Sequence, residues 1–185
     1  MQRALTPLES RVSSREDSGR MKSTTLTALK EFPRHLEAYF AAIPAGFENW
    51  RPDSWMGIPS EPFTAIEQIC HVRDVEIEGY HVRFLRTLQE ANPSLPDLAG
   101  EALARERAYA TADAGQVLAS FREARARSVA LIAGLTDQEL ARVAEFDGVP
   151  TTLRALVHYL CSHDQQHLAG LQWLLARIES RGARR

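Results

Sequence analysis

Residues 163–167 read His-Asp-Gln-Gln-His, and two imidazoles four positions apart on a helix share one face, within reach of a single ion. The pair falls inside an apolar run, 153–178, with helical spacing throughout. Leu156, Leu160, Leu171, Leu174 and Ile178 mark the buried stripe, and His163 and His167 sit on that stripe rather than on the charged flank. A single inward histidine is usually just a hydrogen-bonded core residue. Two stacked on one stripe would leave several ring nitrogens short of partners. Metal coordination is the chemistry this pair offers, and an ion held by protein needs more than two neutral imidazoles.

The second helical pattern, about 63–91, supplies candidates for a further ligand. His71 lies at the edge of its apolar stripe, with Glu67, Asp74 and Glu78 at nearby angles on the same face. His81 points more nearly into the apolar arc, so periodicity alone does not choose between His71 and His81. His158 lies on a different face from His163, and His35 sits beside the break at Pro33, which makes both weaker. For the carboxylates, a solvated or salt-bridged helix face with Arg73 or Arg83 is the simpler role.

The elements that must position these residues are four long helical patterns. The first, about 24–43, carries Leu26, Leu29, Leu36, Tyr39, Phe40 and Ile43, with Pro33 marking a kink or restart. A loop, 47–62, holds Trp50, Pro52, Trp55, Gly57 and Pro59; it is too rich in breakers for helix, and its tryptophans would cap one end of a bundle. The second pattern ends at Asn92, Pro93 and Pro96. After a short helix near 100–109, the third runs over about 113–135 and the fourth over about 151–180. No convincing strand is visible. The prediction is an all-α four-helix bundle over residues 21–180, a class that commonly builds metal sites from facing helices. Residues 1–20 lack periodicity and read as a disordered extension; 181–185 form a polar tail.

Composition narrows the function. With 185 residues, 44% hydrophobic, the chain fits one domain with a real core. A net charge of −2 and pI near 6.3 give no electrostatic case for nucleic acid or an anionic membrane. No apolar stretch reaches the ~18 residues of a membrane span. The first 20 residues lack the apolar centre of a secretory signal, and two cysteines, Cys70 and Cys161, fit a reducing, cytoplasmic setting as buried structural thiols.

The order of motifs adds a resemblance. Trp55 in a Pro-rich loop, a helix reading Ile69-Cys70-His71-Val72-Arg73-Asp74-Val75-Glu76, and a late helix reading His163-Asp164-Gln165-Gln166-His167 followed by Gln172 resemble the DinB/YfiT superfamily. The resemblance covers about 21–178. It implies an antiparallel-type four-helix bundle with one long crossover and a divalent ion held by one histidine of the second helix and two of the fourth. Carried onto this chain, those ligands are His71, His163 and His167. It further implies a homodimer and, among characterised relatives, transfer of a low-molecular-weight thiol to a small molecule.

Three neutral imidazoles would leave an ion its full charge as a Lewis acid, able to lower the pKa of bound water or thiol. Thiol transfer and metal-assisted hydrolysis of a small-molecule substrate both follow, with Asp74, Glu76 or Glu78 available to orient a group or take a proton; Asp74 is the candidate second-shell residue. The ligand set does not separate zinc, nickel and iron. A zincin-type protease is disfavoured, because no histidine follows His167 and Asp164 reaches one methylene less far than glutamate. The rival from another class is a non-catalytic, stress-associated dimeric bundle. A closed four-ligand site, with His81 as the one residue to watch, would favour it.

Overall fold

The structure, a computed structural model, describes Met21 and residues 23–182. The extension expected at 1–20 and most of the expected tail lie outside the described residues. In chain order the elements are α1 (Ser23–Ala41), α2 (Ala65–Asp74), a π-helical turn (Val75–Tyr80), α3 (His81–Gln89), β1 (Ser94–Leu95), α4 (Gly100–Glu106), a 3₁₀ turn (Tyr109–Thr111), α5 (Ala114–Gly134), α6 (Asp137–Leu140), β2 (Val143–Phe146), β3 (Val149–Thr152) and α7 (Leu153–Gly182). α2, the π turn and α3 are continuous and form the second long helix of a four-helix bundle. α1 and α2 each pack against α5 and α7, so the two helices next to each other in sequence lie mainly across the bundle.

Local chemistry explains the helix boundaries. Thr64 caps α2 in a capping box, its backbone N donating to Glu67 Oε2 at 2.8 Å, and Asp113 caps α5 by accepting from Gln116 N at 2.8 Å. Both satisfy donors that a helix start leaves open. α1 runs unbroken through Pro33, so of the kink or restart read from the sequence, the restart does not occur. Its missing N–H frees the Leu29 carbonyl one turn back, and Arg125 Nη1 of α5 donates to that carbonyl at 3.4 Å.

Two further expectations are corrected. The second helix is not α-helical throughout: the π turn admits one extra residue, which rotates everything after it by about 100°. A small three-stranded sheet is also present, with β1 parallel to β2 and β2 antiparallel to β3. Strands of two to four residues are too short for periodicity to register. The available signal was Asp147-Gly148, both at positive φ (48° and 76°), the tight turn of a two-residue hairpin.

The loop between α1 and α2 packs as expected. Trp55 stacks on Trp173 of α7 with ring centroids 6.1 Å apart. Among the described residues no helix is long and apolar enough to cross a membrane. Cys70 is buried, donates to the Tyr109 carbonyl at 3.9 Å, and burial pushes its thiol up to about 12, so it is not a nucleophile. Cys161 is only half-buried.

Candidate metal centre

Helix α2 and helix α7 bring three imidazoles face to face. His71 Nε2 lies 3.2 Å from His163 Nε2, and His163 Nε2 lies 3.1 Å from His167 Nε2. His71 and His167 are 3% and 0% exposed. Burial pushes the ring pKa of all three down: His163 falls to about 3, with neighbouring His71 adding to the effect, and His167 falls well below the ordinary value. The rings are therefore neutral at pH 7, the state in which imidazole binds metal.

Neutral rings cannot satisfy one another here. A proton on any one of the three nitrogens serves a single neighbour well, so at least one lone pair faces another. The outer nitrogens sharpen this. His167 Nδ1 is hydrogen-bonded to Gln68 Oε1, while the Gln68 amide donates to Ser60 Oγ at 2.8 Å and to the Phe63 carbonyl at 3.3 Å. Those acceptors fix which end of the amide is oxygen, hence place the His167 proton on Nδ1 and leave Nε2 a lone pair. His71 Nδ1 is buried without a partner among the described residues. An ion roughly 2.0–2.1 Å from each of three tetrahedrally arranged nitrogens would hold them about 3.3 Å apart, close to the two separations observed. The residues fit a divalent ion.

Two glycines make room for this arrangement. A Cβ on Gly100 would stand 2.6 Å from His71 Cε1, and one on Gly170 would stand 2.4 Å from Ser60 Oγ and 2.9 Å from Gln68 Nε2. The first residue of α4 thus lies directly on the His71 ring, and α7 presses closely on the groups that orient His167.

The other residues singled out in the sequence have different partners. Asp74 does not hydrogen-bond to the cluster: its carboxylate accepts from Arg73 Nε (2.7 Å), Arg107 Nη1 (2.8 Å) and the Tyr109 hydroxyl (2.6 Å), tying α2 to the segment after α4. Those donors hold its carboxyl below the usual range against the opposing effect of burial. Glu67 belongs to the α2 cap and pairs with Arg51 at 2.6 Å. Glu78 takes two bonds from Arg107, at 2.6 and 2.9 Å, and Glu76 pairs with Arg125 at 2.8 Å. His81 lies past the π turn, which carries its ring to the Ala124 carbonyl of α5 at 3.0 Å. That rotation is what a regular helical wheel, which left His71 and His81 both open, does not show.

Sequence reasoning missed Glu61 and Gln68. Glu61, from the loop before α2, sets its carboxylate oxygens 3.6 Å from His71 Nε2 and 3.4 Å from His167 Nε2. Nothing in a loop's periodicity reveals such an approach. Gln68 stands one turn before His71, and that spacing was a usable signal. The cluster opens on a cavity of about 240 Å³ lined by Glu61, His71, His163, Gln166, Arg83 and Tyr159 among others.

The sequence matches the DinB superfamily over residues 28–171. The chain belongs to that superfamily. Among solved structures it is similar to YfiT from Bacillus subtilis, described as a probable metal-dependent hydrolase with an unusual four-helix bundle topology; the match has a TM-score of 0.72 and 24% identity and covers 95% of this chain and 94% of that one. At that identity the likeness establishes the fold of this DinB-superfamily chain. No curated protein matches it.

Proposed function

We propose that this DinB-superfamily chain is a divalent-metal-dependent hydrolase of a small molecule, with His71, His163 and His167 as the ligands. The observation that carries the reading is the meeting of three neutral imidazole nitrogens, from buried His71 and His167 and part-buried His163, beside a cavity that His71 and His163 line. The description of YfiT as a probable metal-dependent hydrolase supports it. A bound ion would supply Lewis-acid polarisation and lower the pKa of a nucleophile beside it.

The chain's own residues supply the rest. Gln68 holds the His167 ring by its Nδ1, and Phe63 covers the His71 ring at a centroid distance of 5.1 Å, keeping water from that side. The Glu61 carboxylate faces the same point as the imidazoles and accepts the proton that the nucleophile gives up. A homodimer belongs to the same proposal, supported by an apolar groove of α1 and α5 that includes Pro33, Val129 and Ala133; sedimentation velocity tests it.

Elemental analysis of untagged protein is the decisive experiment. Wild type, Glu61→Gln and His81→Ala should each carry about one equivalent of metal, and His71→Ala and His167→Ala should carry none. Glu61→Gln should keep its metal while losing hydrolysis of activated esters and amides. Metal lost along with Glu61 would instead mark a closed, four-ligand structural site. Turnover that appears only when a low-molecular-weight thiol is added would convert the reading to thiol transfer. A folded wild type that takes up no zinc, nickel or iron would overturn the proposal.

A further inference from the structure

The cavity has a second polar end. Arg83 of α3 lines it and is only 3% exposed. Its guanidinium lies over the Phe146 ring at 4.4 Å and the Tyr80 ring at 5.0 Å. Aromatic rings on its faces leave the N–H edge as its binding surface. Nη2 donates to the Pro96 carbonyl at 3.2 Å and to Asp97 Oδ1 at 2.8 Å, while Nε is buried with no partner among the described residues. Buried polar groups are normally hydrogen-bonded. Asp97 is an incomplete answer to this charge, because its side chain is 63% exposed and solvent screens the pair.

An arginine with an unfilled donor, fixed on the wall of a cavity that His71 and His163 also line, is suited to a planar anion. We propose that Arg83 binds the carboxylate of a small substrate whose reacting bond faces His71, His163 and His167; this rests on the reading of the cavity as a metal-dependent active site. A monoanion is favoured, since Glu61 and Asp97 both stand on the cavity wall and would repel a second negative charge. The volume of about 240 Å³ lies below the roughly 300–1,000 Å³ of drug-sized sites, which sets the substrate at metabolite size. Ser162 and Gln166, one turn apart on α7, also line the cavity. Arg83 is a specificity-determining residue and takes no part in bond breaking.

The test uses metal-free protein and two probes, N-acetylglycine and its methyl ester. The Arg83 Nε–H resonance, assigned by its loss in Arg83→Gln, should shift saturably with the acid. The acid should bind at least about tenfold more tightly than the ester, the size of a charge-assisted hydrogen bond, and Arg83→Gln should erase that preference. Because Arg83 also ties down the Pro96 carbonyl, Asp97→Asn serves as the second variant: it removes the competing negative charge beside Nη2 and should tighten binding of the acid severalfold with the fold intact. Equal binding of acid and ester, or no tightening in Asp97→Asn, overturns the proposal. A metal-free wild type that discriminates acid from ester but takes up no ion would sink the hydrolase reading and leave Arg83 as an anion site.

Discussion

One turn of α7 feeds two buried clusters that treat their polar atoms in opposite ways. Asp164 faces α5, where Arg125 donates to it at 2.6 and 2.9 Å and to Glu76 at 2.8 and 3.1 Å. Ser128 donates to Glu76 as well, and Phe32 and Phe121 each lie 5.0 Å from the guanidinium. His163 and His167 face His71 beside the cavity, where lone pairs converge and His71 Nδ1 has no partner among the described residues. Both clusters are polar, buried and encoded within five residues. What separates them is completion: the first is closed by its own residues and holds helices together, whereas the second leaves ring nitrogens unanswered among the described residues.

Breaking each cluster should give opposite results. Arg125→Met would leave Glu76 and Asp164 buried without their cation and should cost about 3–5 kcal/mol in urea denaturation of the metal-free protein. His167→Ala should cost less than half as much yet abolish metal uptake. Equal costs would erase the distinction.

Acid should separate the clusters next. All three cluster histidines have folded-state pKa values pushed down, chiefly by burial, so below about 6.5 the unfolded chain binds protons the folded chain refuses. Each such ring should remove ~1.4 kcal/mol of stability per pH unit as pH falls below its unfolded pKa towards its folded one. Asp164 acts in the other direction. Burial, with Glu76 adding to it and Arg125 opposing it, pushes its carboxyl up to about 7, so its cost is present at high pH and is relieved by acid. Stability of the metal-free protein should therefore decline between pH 6.5 and 5, and decline more steeply in Asp164→Asn. A flat profile in wild type would show that the rings are not neutral and buried.

The smallest effect concerns orientation. Gln68→Met should weaken metal binding about 10–100-fold, measured by chelator competition, because His167 loses the acceptor that fixes its tautomer. Asp74→Asn should lower stability and leave metal affinity unchanged. Weakened metal binding in Asp74→Asn would return that carboxylate to the site.

The helices and most of the cluster's residues were legible because each leaves a local trace. An amphipathic stripe records burial residue by residue, and an i,i+4 pair on a stripe records convergence within one helix. Pro33 did not by itself say whether the helix would restart, because the donor that answers the freed carbonyl is a guanidinium from α5, far away in sequence. His81 stayed undecided against His71 on periodicity, because the π turn shifts the phase between two stretches of ordinary helical periodicity. The hairpin was overlooked although Asp147-Gly148 announced it.

By itself the sequence determined a helical bundle and the stripe carrying His163 and His167, since both follow from the 3.6-residue period; the choice of His71 over His81 came from family resemblance. Tertiary structure alone decided which carboxylates meet the histidines. Asp74, Glu76 and Glu78 are taken up by arginines, two of them, Arg107 and Arg125, from distant segments, and Glu61 arrives from a loop. Charges on one helix face look alike in sequence, because their roles are set by the partner that packs against them.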